Sequence, residues 1–209
     1  MSFTGHALAC VRGDRLVFSD LDFQVDDGGC LLLKGPNGSG KSSLLRICAG
    51  FLAPYSGELR RAGQPLTLDP EAHRASLHFI GHLDGLKASL TVHENLAFWA
   101  RFRTGEASRA EAALDRLELE LLADLPVRFL SAGQRRRAAL ARLVVAPASL
   151  WLLDEPTTAL DSAGLETLTD LIAEHRAAGG QVIAATHAPL AAPGAAVLRL
   201  GPTGSEPAP

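Results

Sequence analysis

Residues 35–42 read Gly35, Pro36, Asn37, Gly38, Ser39, Gly40, Lys41 and Ser42, with Ser43 following, and fit the spacing G-x-x-x-x-G-K-[ST]. A triphosphate needs several donors at close range. Glycines let backbone N–H groups curl around phosphate oxygens, and a helix starting at the loop's end points its positive pole at them. In such a loop Lys41 would reach the β and γ phosphates and Ser42 would ligate Mg²⁺. A second chemical element lies at "LWLLDE", where an apolar run ends in two carboxylates. Asp154 would hold Mg²⁺ through water, and Glu155 would orient and deprotonate an attacking water. Apolar strands often end in acids, so this pair gains its meaning from the loop beside it.

A third element is "LSAGQ", comprising Leu130, Ser131, Ala132, Gly133 and Gln134, set just before the helical run "RRRAALARLVVA". A Ser–small–Gly turn at a helix start is a further anion site; the plainer reading is an N-cap by Ser131. The loop at 35–42 already cradles one phosphate chain, so the chain carries two half-sites, which two copies placed head to tail would complete. The run Arg135–Arg137 reads as a solvated helix face with no ligand.

These residues need strands and helices to hold them. "CLLLK" (Cys30–Lys34) is a short apolar strand running into the glycine loop, and Leu44, Leu45, Ile47, Cys48, Phe51 and Leu52 share one face of the helix after it. "LVFSDLDFQV" alternates like a half-buried strand. Residues 149–155 and 181–187 are further strands and "AVLRL" a candidate fourth, with a helix over about 162–178 turning Leu165, Leu168, Leu171 and Ile172 inward and ending at Gly179. Strands alternating with helices imply a mostly parallel α/β sheet. From about Leu90 to Val145 the periodicity is helical. The expected organisation is one domain over 1–201, with an α/β core at 1–84 and 146–201, a helical subdomain inserted over about 85–145, and a disordered tail at 202–209.

Composition narrows the partners. The net charge of −3 offers no basic balance for nucleic acid. Cys10, Cys30 and Cys48 lack CxxC spacing and fit a reduced, cytosolic setting, with Cys48 in the core. The start lacks the charged and apolar regions of a signal peptide. Between Arg176 and Arg199 no residue carries a fixed charge, but the glycines, prolines and scattered apolar residues there argue against a spanning helix. A role at a membrane therefore requires a membrane partner.

Taken together, "GPNGSGKS", "LSAGQ", "LWLLDE", "TALD" (Thr158–Asp161) and "ATH" ending at His187 resemble, in order and spacing over nearly the whole chain, the nucleotide-binding subunits of ABC transporters. The resemblance implies a P-loop NTPase (RecA-like) core with an N-terminal antiparallel β part and an inserted helical subdomain. It implies ATP and Mg²⁺ as ligands, a head-to-tail ATP-sandwich dimer, and an integral membrane permease as partner. It places Asp161 at the dimer seam and His187 at the γ-phosphate, and gives Leu130–Gln134 the partner's ATP. Kinases and GTPases with the same phosphate loop lack "LSAGQ". Soluble ABC ATPases acting on ribosomes or DNA carry two cassettes or a long coiled-coil insert, and this chain has neither.

Two positions depart from the family. The aromatic that stacks on adenine is replaced at its spacing by Arg12, whose guanidinium can stack on a purine plane; an exposed loop arginine reads equally well. The glutamine that contacts Mg²⁺ and water is replaced by His82, in "FIGHLDGLKASLTVHENLAF". A neutral imidazole offers one donor and one acceptor, whereas an imidazolium offers no acceptor; the alternative is that His82 only packs the loop, with Asp84 and Lys87 as solvated neighbours. That stretch, with "GQPL" and "VRFLSAGQRRRAALARL", is similar to the ATPase subunits of cytochrome c maturation (Ccm) transporters, the so-called heme exporters. The similarity implies a peripheral place on the cytoplasmic face of the bacterial inner membrane and a Ccm B-type permease, with a C-type subunit as a further candidate. A small ABC exporter for a lipid, peptide or drug is the alternative. The cargo itself is not written in the chain: His6, His73, His78, His93 and His175 read as surface or core histidines.

Overall fold

Cys30–Lys34 (β3), Leu150–Asp154 (β7) and Gln181–Ala185 (β8) are runs in which almost every residue is buried, the signature of parallel strands covered on both faces. In the computed structural model, which describes residues 2–201, they form the centre of a five-stranded parallel sheet. Its order is β6–β7–β8–β3–β9, with β6 at Leu77–Ile80 and β9 at Ala196–Arg199. The two-residue period of a strand divides each run between two layers. Cys30, Leu32, Trp151, Leu153, Val182 and Ala184 face one hydrophobic cluster; Leu31, Leu33, Leu150, Leu152, Ile183 and Ala185 face the other.

The second cluster is closed by α1 (Lys41–Cys48) and by a four-stranded antiparallel sheet, β2–β1–β4–β5. Its strands are β1 (Ser2–Arg12), β2 (Arg15–Asp26), β4 (Ser56–Arg61) and β5 (Gln64–Pro65). The β4–β5 hairpin closes on Ala62 and Gly63, both at positive φ, the left-handed pair that a two-residue turn requires. In α1, Leu44, Leu45, Ile47 and Cys48 are at most 1% exposed, and burial of side chains this size contributes about 1.5–3 kcal/mol each. The helix stops at Cys48 because Gly50 takes φ +69, so the expected continuation of its apolar face fails: Phe51 is exposed and lies edge-on to Phe79.

The first cluster is closed by helices. α3 (Val92–Thr104) opens on a capping box between Thr91 and Glu94 and ends at Gly105 in the left-handed region. α4 (Arg109–Arg116), α5 (Ala132–Leu140) and α6 (Arg142–Val145) follow, and α7 (Ser162–Ala177) returns along the sheet. α2 (Pro70–Ala75) sits outside this group. Within the helical stretch from about Leu90 to Val145, residues 107–125 hold α4 and a separate 3-10 turn at Glu120–Leu122. In α7, Leu168, Leu171 and Ile172 are buried as expected, while Leu165 is only half-buried. Cys10 and Cys30 join Cys48 as buried free thiols. Among the described residues no helix is long and apolar enough to cross a membrane, and the tail expected at 202–209 lies outside them.

Candidate functional site

Parallel strands end together at one edge, and this edge gathers the chemistry. β3 runs into the glycine loop and β7 ends at Asp154, with Glu155 next; His187 lies two residues past β8, and His82 two past β6. A cavity of about 390 Å³ at that edge is lined by Arg12, Arg15, Asn37, Lys41, Ser42, His82, Asp154, Glu155 and His187. A larger hollow of about 690 Å³ lies at the opposite edge, around Ser149, Trp151 and Gly180. The smaller cavity is the functional candidate because loop glycines, cation and carboxylates converge there.

The loop is shaped for a phosphate. Gly35 has φ +149, and a Cβ there would lie 1.9 Å from the Leu200 carbonyl oxygen, so only glycine fits. A Cβ on Gly38 would meet nothing within 4 Å, which leaves that side of the loop open to a ligand. Gly40 is the N-cap of α1 and offers no side chain to the first N–H groups, which therefore remain available to an anion. Ser39 Oγ is buried without a hydrogen-bond partner among the described residues, a further donor for a phosphate oxygen. Lys41 Nζ donates to the carbonyls of Gly35 (2.8 Å) and Pro36 (3.1 Å) and lies 3.0 Å from His187 Nε2.

Glu155 is held in an unusual state. Its φ is +48, a region that costs a non-glycine residue about 1–3 kcal/mol and persists where surrounding contacts enforce it. Its N–H donates to the Ala185 carbonyl at 2.8 Å. Its carboxylate accepts from the His187 backbone N–H at 3.2 Å, and Oε1 lies 3.6 Å from His187 Nε2. Glu155 and His187 are thus in direct contact. Asp154 is buried and Ser42 exposed on the same cavity; both present hard oxygen donors, which fit Mg²⁺ with phosphates and waters completing its shell.

The "LSAGQ" residues stand apart from this cavity. Leu130 is buried, and Ser131 caps α5 in a reciprocal box with Gln134: Ser131 Oγ accepts from the Gln134 N–H, and Gln134 Oε1 accepts from the Ser131 N–H. Ser131 and Ala132 are exposed. A Cβ on Gly133 would lie 2.8 Å from the Ala159 carbonyl, so the turn packs against the loop after Glu155. Asp161 caps α7, accepting from the Gly164 N–H at 2.9 Å. A small cavity of about 140 Å³ touches Ala132, His82, Asp84, Arg136 and Glu155, so His82 and Glu155 border both spaces.

Sequence reasoning missed three contributors. Arg15, paired with Arg12 across the β1–β2 turn, brings a second guanidinium to the cavity. Lys34 donates to the Thr186 carbonyl at 2.8 Å and the Ala188 carbonyl at 3.3 Å, fixing the segment that carries His187. Arg136 overturns the solvated reading of Arg135–Arg137: it is 4% exposed, and its guanidinium is spent on backbone carbonyls around Glu155. A charge in the middle of an arginine run carries no sign of burial; its i, i+4 relation to the buried Leu140 was the available signal.

Residues 18–158, more than half of the chain, match the ABC transporter family. The chain belongs to that family. It is 54% identical over 198 residues to the cytochrome c biogenesis ATP-binding export protein CcmA of Rhodospirillum rubrum, covering 95% of this chain and 85% of that one. To the protein of the same name from Paramagnetospirillum magneticum it is 55% identical, covering 95% and 94%. Its fold matches a solved ATP-binding subunit of an ABC transporter (24% identity, TM-score 0.81, 90% and 80% covered). It also matches a dimeric ATP-binding cassette solved after hydrolysis with ADP and phosphate bound (25% identity, TM-score 0.76, 89% and 88% covered). The chain is therefore an ABC ATPase that binds ATP, of the cytochrome c biogenesis branch.

Proposed function

We propose that the chain hydrolyses ATP to ADP and phosphate in order to drive a membrane permease of the cytochrome c biogenesis system. The reading is carried by the convergence of Lys41, Asp154, Glu155 and His187 on one strand edge while a second anion-binding turn, at Ser131, lies outside that cavity. Lys41 and the loop N–H groups bind the β and γ phosphates. Ser42 and Asp154 would hold Mg²⁺, which would neutralise charge on the phosphates when bound. Glu155 takes a proton from the attacking water, and His187, in contact with both Glu155 and Lys41, holds that water and the γ-phosphate. Arg12 and Arg15 supply planes for the base in place of an aromatic ring. Leu130–Gln134 of one copy close over the ATP of another, with Asp161 at the seam.

The permease contact falls to the helical layer following His82. On α3, Phe98 and Phe102 stack with ring centroids 6.1 Å apart and are 58% and 71% exposed, an apolar surface that suits a membrane partner's cytoplasmic helices. We assign that partner as a Ccm B-type permease, with a C-type subunit as a further member, and place the complex at the bacterial inner membrane. In a host strain, Lys41→Ala at the chromosomal locus is expected to abolish c-type cytochromes while b-type cytochromes persist, read by heme staining and difference spectra. Normal c-type levels would refute the role in cytochrome c biogenesis.

A further inference from the structure

β7 ends at Asp154, so the carbonyls that follow leave the sheet ladder and need other donors. The Thr158 N–H donates to the Glu155 carbonyl at 3.2 Å, and one side chain reaches all three carbonyls from Asp154 to Pro156. Arg136 Nη2 donates to the carbonyls of Asp154 (2.8 Å) and Glu155 (2.7 Å), and Nε donates to that of Pro156 (3.3 Å). Nη1 turns the other way, to the Gly81 carbonyl at 3.0 Å and the Asp84 carboxylate at 3.4 Å. These acceptors flank the two residues that border both cavities: Glu155 on one side, His82 on the other. Arg136 itself belongs to the second turn of α5, the helix that opens with the Ser131 cap.

We infer that Arg136 is a positioning residue for hydrolysis: its guanidinium holds the Glu155 peptide in its left-handed conformation and ties that peptide to the His82 loop and to the helix bearing Ser131. The inference rests on the ATPase reading above and adds to it a rigid link. A guanidinium is planar and presents its donors in a fixed fork. The carbonyls it binds therefore cannot shift independently, and a displacement of α5 or of the Gly81–Asp84 segment carries to the carboxylate that activates water. Its burial is costly for a charge, a cost opposed by the Asp84 carboxylate it binds and by those of Asp154 and Glu155 nearby. An arginine that only filled space would not need its donors spent on the backbone of the water-activating residue.

The test uses the purified full chain with Mg-ATP. Arg136→Lys keeps the charge but offers a point donor in place of the fork. It is expected to lower kcat roughly ten-fold or more, as displaced catalytic groups do, with ATP affinity near the parent's and a lowered thermal midpoint, because buried carbonyls lose donors. Asp84→Asn, a milder change at the half-buried end of the link, is expected to lower kcat by about three-fold at unchanged KM. Parent-like kcat in Arg136→Lys would overturn the inference. ATP affinity falling in step with kcat would also overturn it, since that is the pattern of a merely structural residue. Should Arg136→Lys fail to fold, Asp84→Asn decides: lowered kcat at unchanged KM supports the link and parent-like kcat overturns it. A parent chain inert toward ATP would show a different failure, that of the ATPase reading, and the inference would fall with it.

Discussion

At the scale of single residues, the site works by contact between groups that each have a second duty. His187 meets Glu155 with its backbone and its ring, and meets Lys41 with its ring. His82 is exposed and borders both cavities. A neutral imidazole and a carboxamide both supply one donor and one acceptor direction. His82→Gln is therefore expected to keep hydrolysis within about two-fold of the parent, while His82→Ala binds ATP normally and responds weakly to the permease. Steady-state ATPase assays with and without permease-containing membranes check both; an inactive His82→Gln would show that the imidazole does something an amide cannot.

At the scale of elements, β6 shows how an edge strand of the sheet is pinned under the helices. His78 is 4% exposed and its Nε2 donates to the Ala146 carbonyl at 2.9 Å. Burial pushes the imidazole down to about 4, opposed by that hydrogen bond and aided by Arg103, Arg142 and His175 nearby. Its folded value thus lies below the ordinary ~6.5 of the unfolded chain. The unfolded state binds the extra proton first, so the stabilisation is complete above about pH 6.5 and is lost as pH falls towards 4. The loss amounts to about 2–3 kcal/mol between pH 7 and pH 4.5. His78→Gln can keep the bond to Ala146 without titrating. Urea unfolding of this variant should show a drop in stability over that range smaller by about that amount; identical slopes for variant and parent would count against the assignment.

At the scale of the whole molecule, the proposed function assigns to one chain two parts of an ATP site that do not meet. The phosphate loop borders one cavity and Ala132, next to the Ser131 cap, borders another, the two sharing His82 and Glu155; on the proposed function a second copy completes each. Glu155→Gln should bind ATP, fail to hydrolyse it and accumulate as a dimer, because binding survives while the base is lost. Light scattering on size exclusion at saturating Mg-ATP measures this directly. A protein that stays monomeric there would remove the reason for two half-sites.

The phosphate loop, Asp154, Glu155 and the Ser131 cap were legible in the sequence because each is local: a few residues at fixed spacing set their own backbone and chemistry. The same holds for the fully apolar runs of β3, β7 and β8. Strands β1, β4 and β6 were not legible in their own right, since their residues mix classes and are ordered by pairing with distant partners such as Phe3 with Arg61 or Phe79 with Leu152. Histidine at 82 was visible, but its place between two cavities was not. Arg136 is the clearest divide. Its neighbours in the chain are partly exposed arginines, and only the fold brings the carbonyls at the end of β7 and in the Gly81–Asp84 segment to one place where its guanidinium can bind them. Local sequence determined which groups could do chemistry; long-range pairing and burial decided which of them hold one another in place.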